Sequence, residues 1–181
     1  TPENIRRFQA ILAANEHFND LHYKESYSSD QTYNRYLVKV KKEIIAFGVD
    51  SIDPVNDRAP VVSPAELKQW LDEKRDVVLI DTRNDYEVRL GTFEGAKDLK
   101  LKHFRYFPEV VEQLDPELKE KTVVTFCTGG IRCEKAALYM QQKGFKDIYQ
   151  LEGGILDYFL ECGDAHYEGE CFVFDRRVGV D

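Results

Sequence analysis

Apolar and polar positions change their period along this chain, and the changes mark its elements. Ile5, Phe8, Ile11 and Leu12 recur at helical spacing behind Thr1-Pro2-Glu3. That pattern predicts a helix to about Ala14, capped by Thr1 with Pro2 in its first turn. Leu21–Glu25 reads as a short strand and Tyr36–Phe47 as a longer one, with Val38 and Val40 on one face and Lys39 and Lys41 on the other. A helix and two strands bury a sheet face poorly, so sequence preceding Thr1 is expected to complete this unit. Asp, Asn, Ser and Pro then crowd residues 48–64, a linker composition. Beyond it, Ser63-Pro64-Ala65-Glu66 carries the features of a capping box, and Leu67, Trp70 and Leu71 give the helix a buried stripe.

Asp76–Asp81 and Thr122–Phe126 are near-continuous apolar runs of the kind found in strands covered on both faces. Between them lie an acidic segment at Asp85–Val88 and a helical pattern near Pro108–Leu114. After them come a helix over Ile131–Lys143, a strand at Ile148–Leu151, and a Gly153-Gly154 turn into a last helix. Strands alternating with helices predict an α/β fold with a parallel sheet, right-handed crossovers and helices on both faces. The expected organisation is a partial N-terminal α+β domain over 1–50, a linker over 51–62, the α/β domain over 63–165, and a cysteine-containing tail over 166–181.

Composition adds limits. A chain of 181 residues that is 43% hydrophobic can bury a substantial core. Its uninterrupted apolar stretches are only a few residues long, so no membrane span is expected. The start of the chain lacks the basic-then-apolar order of a secretory signal, and a cytoplasmic location is the default. Net charge is −8, but residues 1–58 hold 8 Lys+Arg against 9 Asp+Glu while the remainder holds 17 against 24. A nucleic-acid partner would therefore need a local basic patch. The cysteines at 127, 133, 162 and 171 contain no Cys-x-x-Cys and the four histidines are scattered. They read as thiols, with no metal site expected within this chain.

Cys127 carries the strongest chemical signal. A predicted strand delivers it onto Thr128-Gly129-Gly130-Ile131-Arg132, immediately before a predicted helix. Loop amides and the positive end of the helix dipole converge where the sulfur's charge would lie, and Arg132 adds a fixed cation. An ionised sulfur is a nucleophile at neutral pH. The plainer reading is a buried cysteine that closes a core strand.

Asp81-Thr82-Arg83 with Glu87, Gly91–Ala96, the Cys127 loop and Leu151–Ile155 resemble, in that order, the landmarks of rhodanese domains from about Ser63 to Leu160. The six residues from Cys127 to Arg132 match the loop length of sulfurtransferases; the related phosphatases use one more. Beyond these, 81–88, 103–108, 126–136 and 169–178 resemble the oxygen-dependent tRNA uridine hydroxylases, which convert the wobble uridine to 5-hydroxyuridine. Residues 38–45 are similar to the end of that family's acylphosphatase-like (ferredoxin-like) N-terminal domain. That domain begins earlier in the family and further cysteines follow the Cys171 region, so the chain resembles a piece lacking both ends. The resemblance makes Cys127 the catalytic cysteine and Arg132 the residue that closes its loop. It implies tRNA, through its anticodon region, as partner. Molecular oxygen and an unidentified reductant would be co-substrates, with no bound cofactor evident. A sulfurtransferase carrying sulfane sulfur as a Cys127 persulfide is the alternative. Neither reading fixes the oligomeric state.

Other candidates carry two readings each. Cys133 is a possible resolving thiol or an inward-packing residue of the helix's first turn. Arg83 and Glu87 line the site or fix a loop through salt bridges. Lys39, Lys41 and Lys42 form one basic cluster. Lys100, Lys102 and Arg105 belong to a second, where Phe104, Tyr106 and Phe107 interleave as stacking partners for unpaired bases or as core.

Overall fold

The computed structural model describes residues 1–25, 27–33 and 37–180, and the chain divides into two compact units, Thr1–Asn34 and Arg35–Asp181. In the first, helix α1 spans Pro2–Ala13 with Thr1 as its cap, its hydroxyl accepting from the Asn4 amide. The expected strand at Leu21–Glu25 does not form; the Glu25 carboxylate instead accepts from Gln9 Nε2 at 2.9 Å and from the Tyr27 hydroxyl at 3.2 Å. The longer strand is also missing over residues 37–47, and Tyr36 lies outside the described residues. Val38 and Val40 are exposed there. Alternation supplies a strand-like face, but no neighbouring strand offers ladder hydrogen bonds, so the backbone stays with water.

In the second unit the chain runs through β1 (Val61–Val62), α2 (Pro64–Asp72), β2 (Val77–Asp81), α3 (Asp85–Val88), β3 (Gly91–Phe93) and β4 (Lys97–Asp98). A 3₁₀ turn at Phe104–Tyr106 leads to α4 (Phe107–Glu112), and another at Pro116–Glu120 leads to β5 (Thr122–Phe126). Then follow α5 (Ile131–Gln142), β6 (Asp147–Leu151), α6 (Gly154–Cys162), β7 (Tyr167–Gly169), β8 (Cys171–Phe172) and β9 (Gly179–Val180). The main sheet has the order β1-β6-β5-β2-β4 with all pairs parallel, as the alternation of strands and helices predicts. Its central strand is β5, the strand that precedes Cys127.

Successive residues of β5 face opposite layers. Val123 joins Ile80, Ile148, Ala136, Met140, Phe104 and Phe107 on one side, whereas Val124 joins Leu79, Leu67, Trp70, Ile155 and Tyr158 on the other. The Trp70 ring meets Tyr149 edge-on at 5.4 Å, and the Arg75 guanidinium lies over it at 4.3 Å. Ser63 Oγ accepts from the Glu66 amide at 3.2 Å, as the start signal of α2 implied.

Around the expected boundary near residue 50 and the expected linker over 51–62, three side chains enter the core. Phe47 is 2% exposed and packs against Phe104, Phe107 and Tyr139, and Ile52 and Ala59 are also buried. Polar composition concealed three core anchors. The tail is likewise part of the body: β7 pairs antiparallel with β3, β8 pairs with β9, and Cys171 is buried.

Candidate active site

Asp81 and Phe126, the last residues of β2 and β5, are in register, so the loop after β5 leaves the sheet at its carboxyl edge. Gly130 caps α5 with φ of 90°, a left-handed conformation that glycine adopts without strain. That turn aims its amide at the Cys127 sulfur, 3.1 Å away. The Cys133 thiol, donating to the same sulfur, does most to hold Cys127 below the ordinary thiol value. Arg132 adds its charge, the Arg132 and Cys133 amides add hydrogen bonds, and burial opposes them all. Burial pushes the Cys133 thiol well up, and its bond and charge contact with Cys127 push the same way. Of the pair, Cys127 is thus the sulfur favoured to ionise and Cys133 the one favoured to keep its proton.

Arg132 is fixed by Glu87, which takes its Nη1 at 2.6 Å and its Nη2 at 2.7 Å. Glu87 also accepts the Asn84 amide at 3.0 Å. Burial works against the Arg132 charge, but the Glu87 and Cys127 anions keep it protonated. Glu87 therefore belongs to the site by acting through Arg132. Arg83 does not. Its Nε and Nη2 bind Asp81, its Nη2 also donates to the Gly91 carbonyl at 2.6 Å, and Thr92 Oγ1 donates to Asp81 at 2.8 Å. This clasp ties the end of β2 to β3, as the salt-bridge reading of Arg83 had it.

Gly153 and Gly154 do more than turn the chain. The Ile155 amide donates to the Cys127 carbonyl at 2.9 Å and the Leu156 amide to the Thr128 carbonyl at 3.1 Å, so the start of α6 holds the back of the loop. A Cβ on Gly154 would lie 2.5 Å from the Cys127 carbonyl oxygen and 2.8 Å from the Gly130 nitrogen. Thr82 was also unforeseen. Its hydroxyl lies 3.0 Å from the Phe126 carbonyl and 3.6 Å from the Cys133 sulfur.

Cys127 itself is only 1% exposed, more enclosed than a nucleophile at a sheet edge is expected to be. The neighbouring Thr128 donates its hydroxyl to the Phe172 carbonyl in the tail at 3.5 Å. Beside the loop is a cavity of about 330 Å³, lined by Gly129, Gly130, Glu134, Arg58, Gln150 and Gly153 among others. Another, of about 270 Å³, sits between residues 51–58 and the outer side of α5, remote from the sulfur.

The basic clusters are partly committed. Lys100 Nζ lies 2.6 Å from Asp98 and Lys102 pairs with Asp85. Phe104 and Phe107 are buried in the core, so of the three interleaved rings Tyr106 alone is open to a base. Rings at three-residue spacing next to α4 were wanted by the core first. Lys39, Lys41, Lys42 and Arg105 are exposed, with Lys42 at 3.6 Å from Asp50. Among the described residues no three His, Cys, Asp or Glu side chains converge to hold a metal ion. Cys171 is pushed up to about 11 by burial, against the pull of Arg83. No helix among the described residues is long and apolar enough to cross a membrane.

Comparison with known proteins agrees with this geometry. Residues 63–161 match the rhodanese-like domain, and residues 1–44 match the UPF0176 acylphosphatase like domain. A protein of Cupriavidus taiwanensis named tRNA uridine(34) hydroxylase is 52% identical over 99% of this chain and 65% of its own length. One of the same name from Cupriavidus necator is 53% identical over 98% of this chain and 64% of its own. The chain thus spans somewhat less than two thirds of those relatives. The rhodanese-like domain of the Anabaena Alr3790 protein superposes with a TM-score of 0.52 at 18% identity, over 61% of this chain and 80% of that one, and shares the fold.

Proposed function

The chain belongs to the rhodanese-like domain family, and from that premise we propose that it serves in oxygen-dependent hydroxylation of the wobble uridine of tRNA, with Cys127 as nucleophile. Relatives named for that activity match it at about half of all positions over nearly its whole length. The observation that carries the chemistry is the Cys127 sulfur held by the Gly130 amide at 3.1 Å, with buried Arg132 beside it.

Uracil C5 does not react with oxygen unaided. Addition of the Cys127 thiolate to C6 moves the C5–C6 electron pair toward O4 and makes C5 electron-rich. One atom of molecular oxygen then bonds to C5. The other leaves as water, taking two electrons from an external donor and two protons. Loss of the C5 proton restores the double bond and expels the sulfur. Because Cys127 is covered, the ring reaches it when the loop gives way. Lys39, Lys41 and Arg105 are the cations we assign to the RNA backbone, together with Lys42, whose contact with Asp50 at 3.6 Å is looser than those of Lys100 and Lys102 with their carboxylates. The cytoplasm, where tRNA is modified, is the location this reading requires.

The test is mass analysis of position-34 nucleosides after tRNA, oxygen and a reductant are incubated with the protein. 5-Hydroxyuridine is expected, with none from Cys127→Ser. A tRNA carrying 5-fluorouridine at that position is expected to trap an adduct on Cys127. Normal turnover by Cys127→Ser overturns the assignment. Thiosulfate:cyanide transfer without hydroxylation would replace it with the sulfurtransferase reading.

A further inference from the structure

Of the carboxylates close to the reactive loop, two are fully used. Asp81 is bound by Arg83 and Thr92, and Glu87 by Arg132 and the Asn84 amide. Glu134, in the first turn of α5, donates its amide to the Gly130 carbonyl at 3.3 Å; its carboxylate has no hydrogen bond or ion pair among the described residues, and it lines the 330 Å³ cavity together with Gly129 and Gly130. Its carboxyl is raised above the ordinary value by burial first and by the Cys127 charge second, with Arg58 opposing. A carboxylate shifted upward is a stronger base than an ordinary one.

The cavity lies at the lower end of the ~300–1,000 Å³ range of small-molecule sites. Its ionisable lining consists of Asp57, Glu134 and Glu152 against Arg58. An excess of negative charge repels a phosphate or a thiosulfate dianion but admits an uncharged ring. Gln150, also in the wall, offers both a donor and an acceptor, which matches the alternating edge of a pyrimidine.

We propose that this cavity receives the pyrimidine ring of an RNA nucleotide and that Glu134 is the base that removes the C5 proton when the Cys127 sulfur is expelled. This deepens the hydroxylase reading and rests on it. The carboxylate takes the C5 proton, the C5–H electron pair becomes the C5–C6 double bond, and the C6–S bond breaks with its electrons returning to sulfur. No electron donor enters this step. It is the last of the sequence, so blocking it leaves the nucleotide attached to the protein.

The experiment compares the unaltered protein with Glu134→Gln in single turnover on tRNA with oxygen and reductant. 5-Hydroxyuridine is read by mass and protein-bound tRNA by denaturing gel. Glu134→Gln is expected to slow product release on the order of 10²-fold or more and to accumulate the Cys127-linked species, while iodoacetamide alkylates Cys127 no more slowly than in the unaltered protein. Product formation by Glu134→Gln within about threefold of the unaltered protein overturns the role of Glu134 alone. A slowed variant with no bound tRNA overturns it too, by placing the loss before sulfur departure. Absence of 5-hydroxyuridine from the unaltered protein overturns the hydroxylase reading and this inference with it.

Discussion

At the scale of single residues, the site is built from short-range and long-range parts, and only the first were visible in the sequence. Cys127, Gly130 and Arg132 stand within six positions, so a strand, a glycine and a helix start sufficed to place them. Glu87 lies 45 positions from Arg132, and although the sequence marked it as lining the site or fixing a loop, nothing in its local pattern identified that arginine as its partner. Cys133 was legible as a neighbour but not as a donor. Its thiol lowers the Cys127 value, and the Thr82 hydroxyl, 3.6 Å from the Cys133 sulfur, itself donates to the Phe126 carbonyl at 3.0 Å. A hydrogen bond to a charged acceptor is worth about 1.5–3 kcal/mol. Cys133→Ala removes it, raises the Cys127 value and lowers the thiolate fraction at slightly acid pH. Alkylation of Cys127 by iodoacetamide near pH 6 is expected to slow by about tenfold, with the difference closing above the ordinary thiol value of about 8.5. Cys133→Ser, which keeps a donor, should recover most of the rate; a resolving role needs a thiol and would not be rescued by serine. Superimposable pH profiles for Cys133→Ala and the unaltered protein would remove the donor from the account.

At the scale of elements, the helices and buried strands of the second unit were legible because period and capping agree over several turns. Ser63, Leu67 and Trp70 all point to one helix on one face. The strands expected at Leu21–Glu25 and Tyr36–Phe47 were not, since alternation describes a face and says nothing of a hydrogen-bonding neighbour. A similar blindness affects α6. A Gly-Gly before a helix reads as a turn, whereas the need at Gly154 comes from the loop of another strand pressed against it. Gly154→Ala places a methyl into that contact at φ of 71°. A loss of about 1–3 kcal/mol in unfolding free energy is expected from the backbone strain. A slower Cys127 alkylation should accompany it, because the displaced atoms include the carbonyl and amide that shape the loop. Unchanged stability and alkylation together would show that α6 does not brace the site.

At the scale of the whole molecule, the compact units are Thr1–Asn34 and Arg35–Asp181, while the matched families cover residues 1–44 and 63–161. Asp, Asn and Pro between residues 48 and 64 mark an irregular path, but irregular is not the same as detached. Phe47, Ile52 and Ala59 anchor that path in the core formed by α4, α5 and the 3₁₀ turn before α4. Phe47→Ala is expected to destabilise the second unit by about 3–5 kcal/mol, the usual loss for a buried ring. Denaturant titration checks it. A loss below about 1 kcal/mol would restore the segment to the status of a tether. Trp70 makes this measurement selective. It is the sole tryptophan of the chain, enclosed by Tyr149 and Arg75 on the face of the sheet opposite Phe47. Light emitted by its indole therefore reports from one half of the polypeptide and is silent about Thr1–Asn34. A colour change lagging behind loss of total helical signal would give each half its own melting curve without cutting the chain.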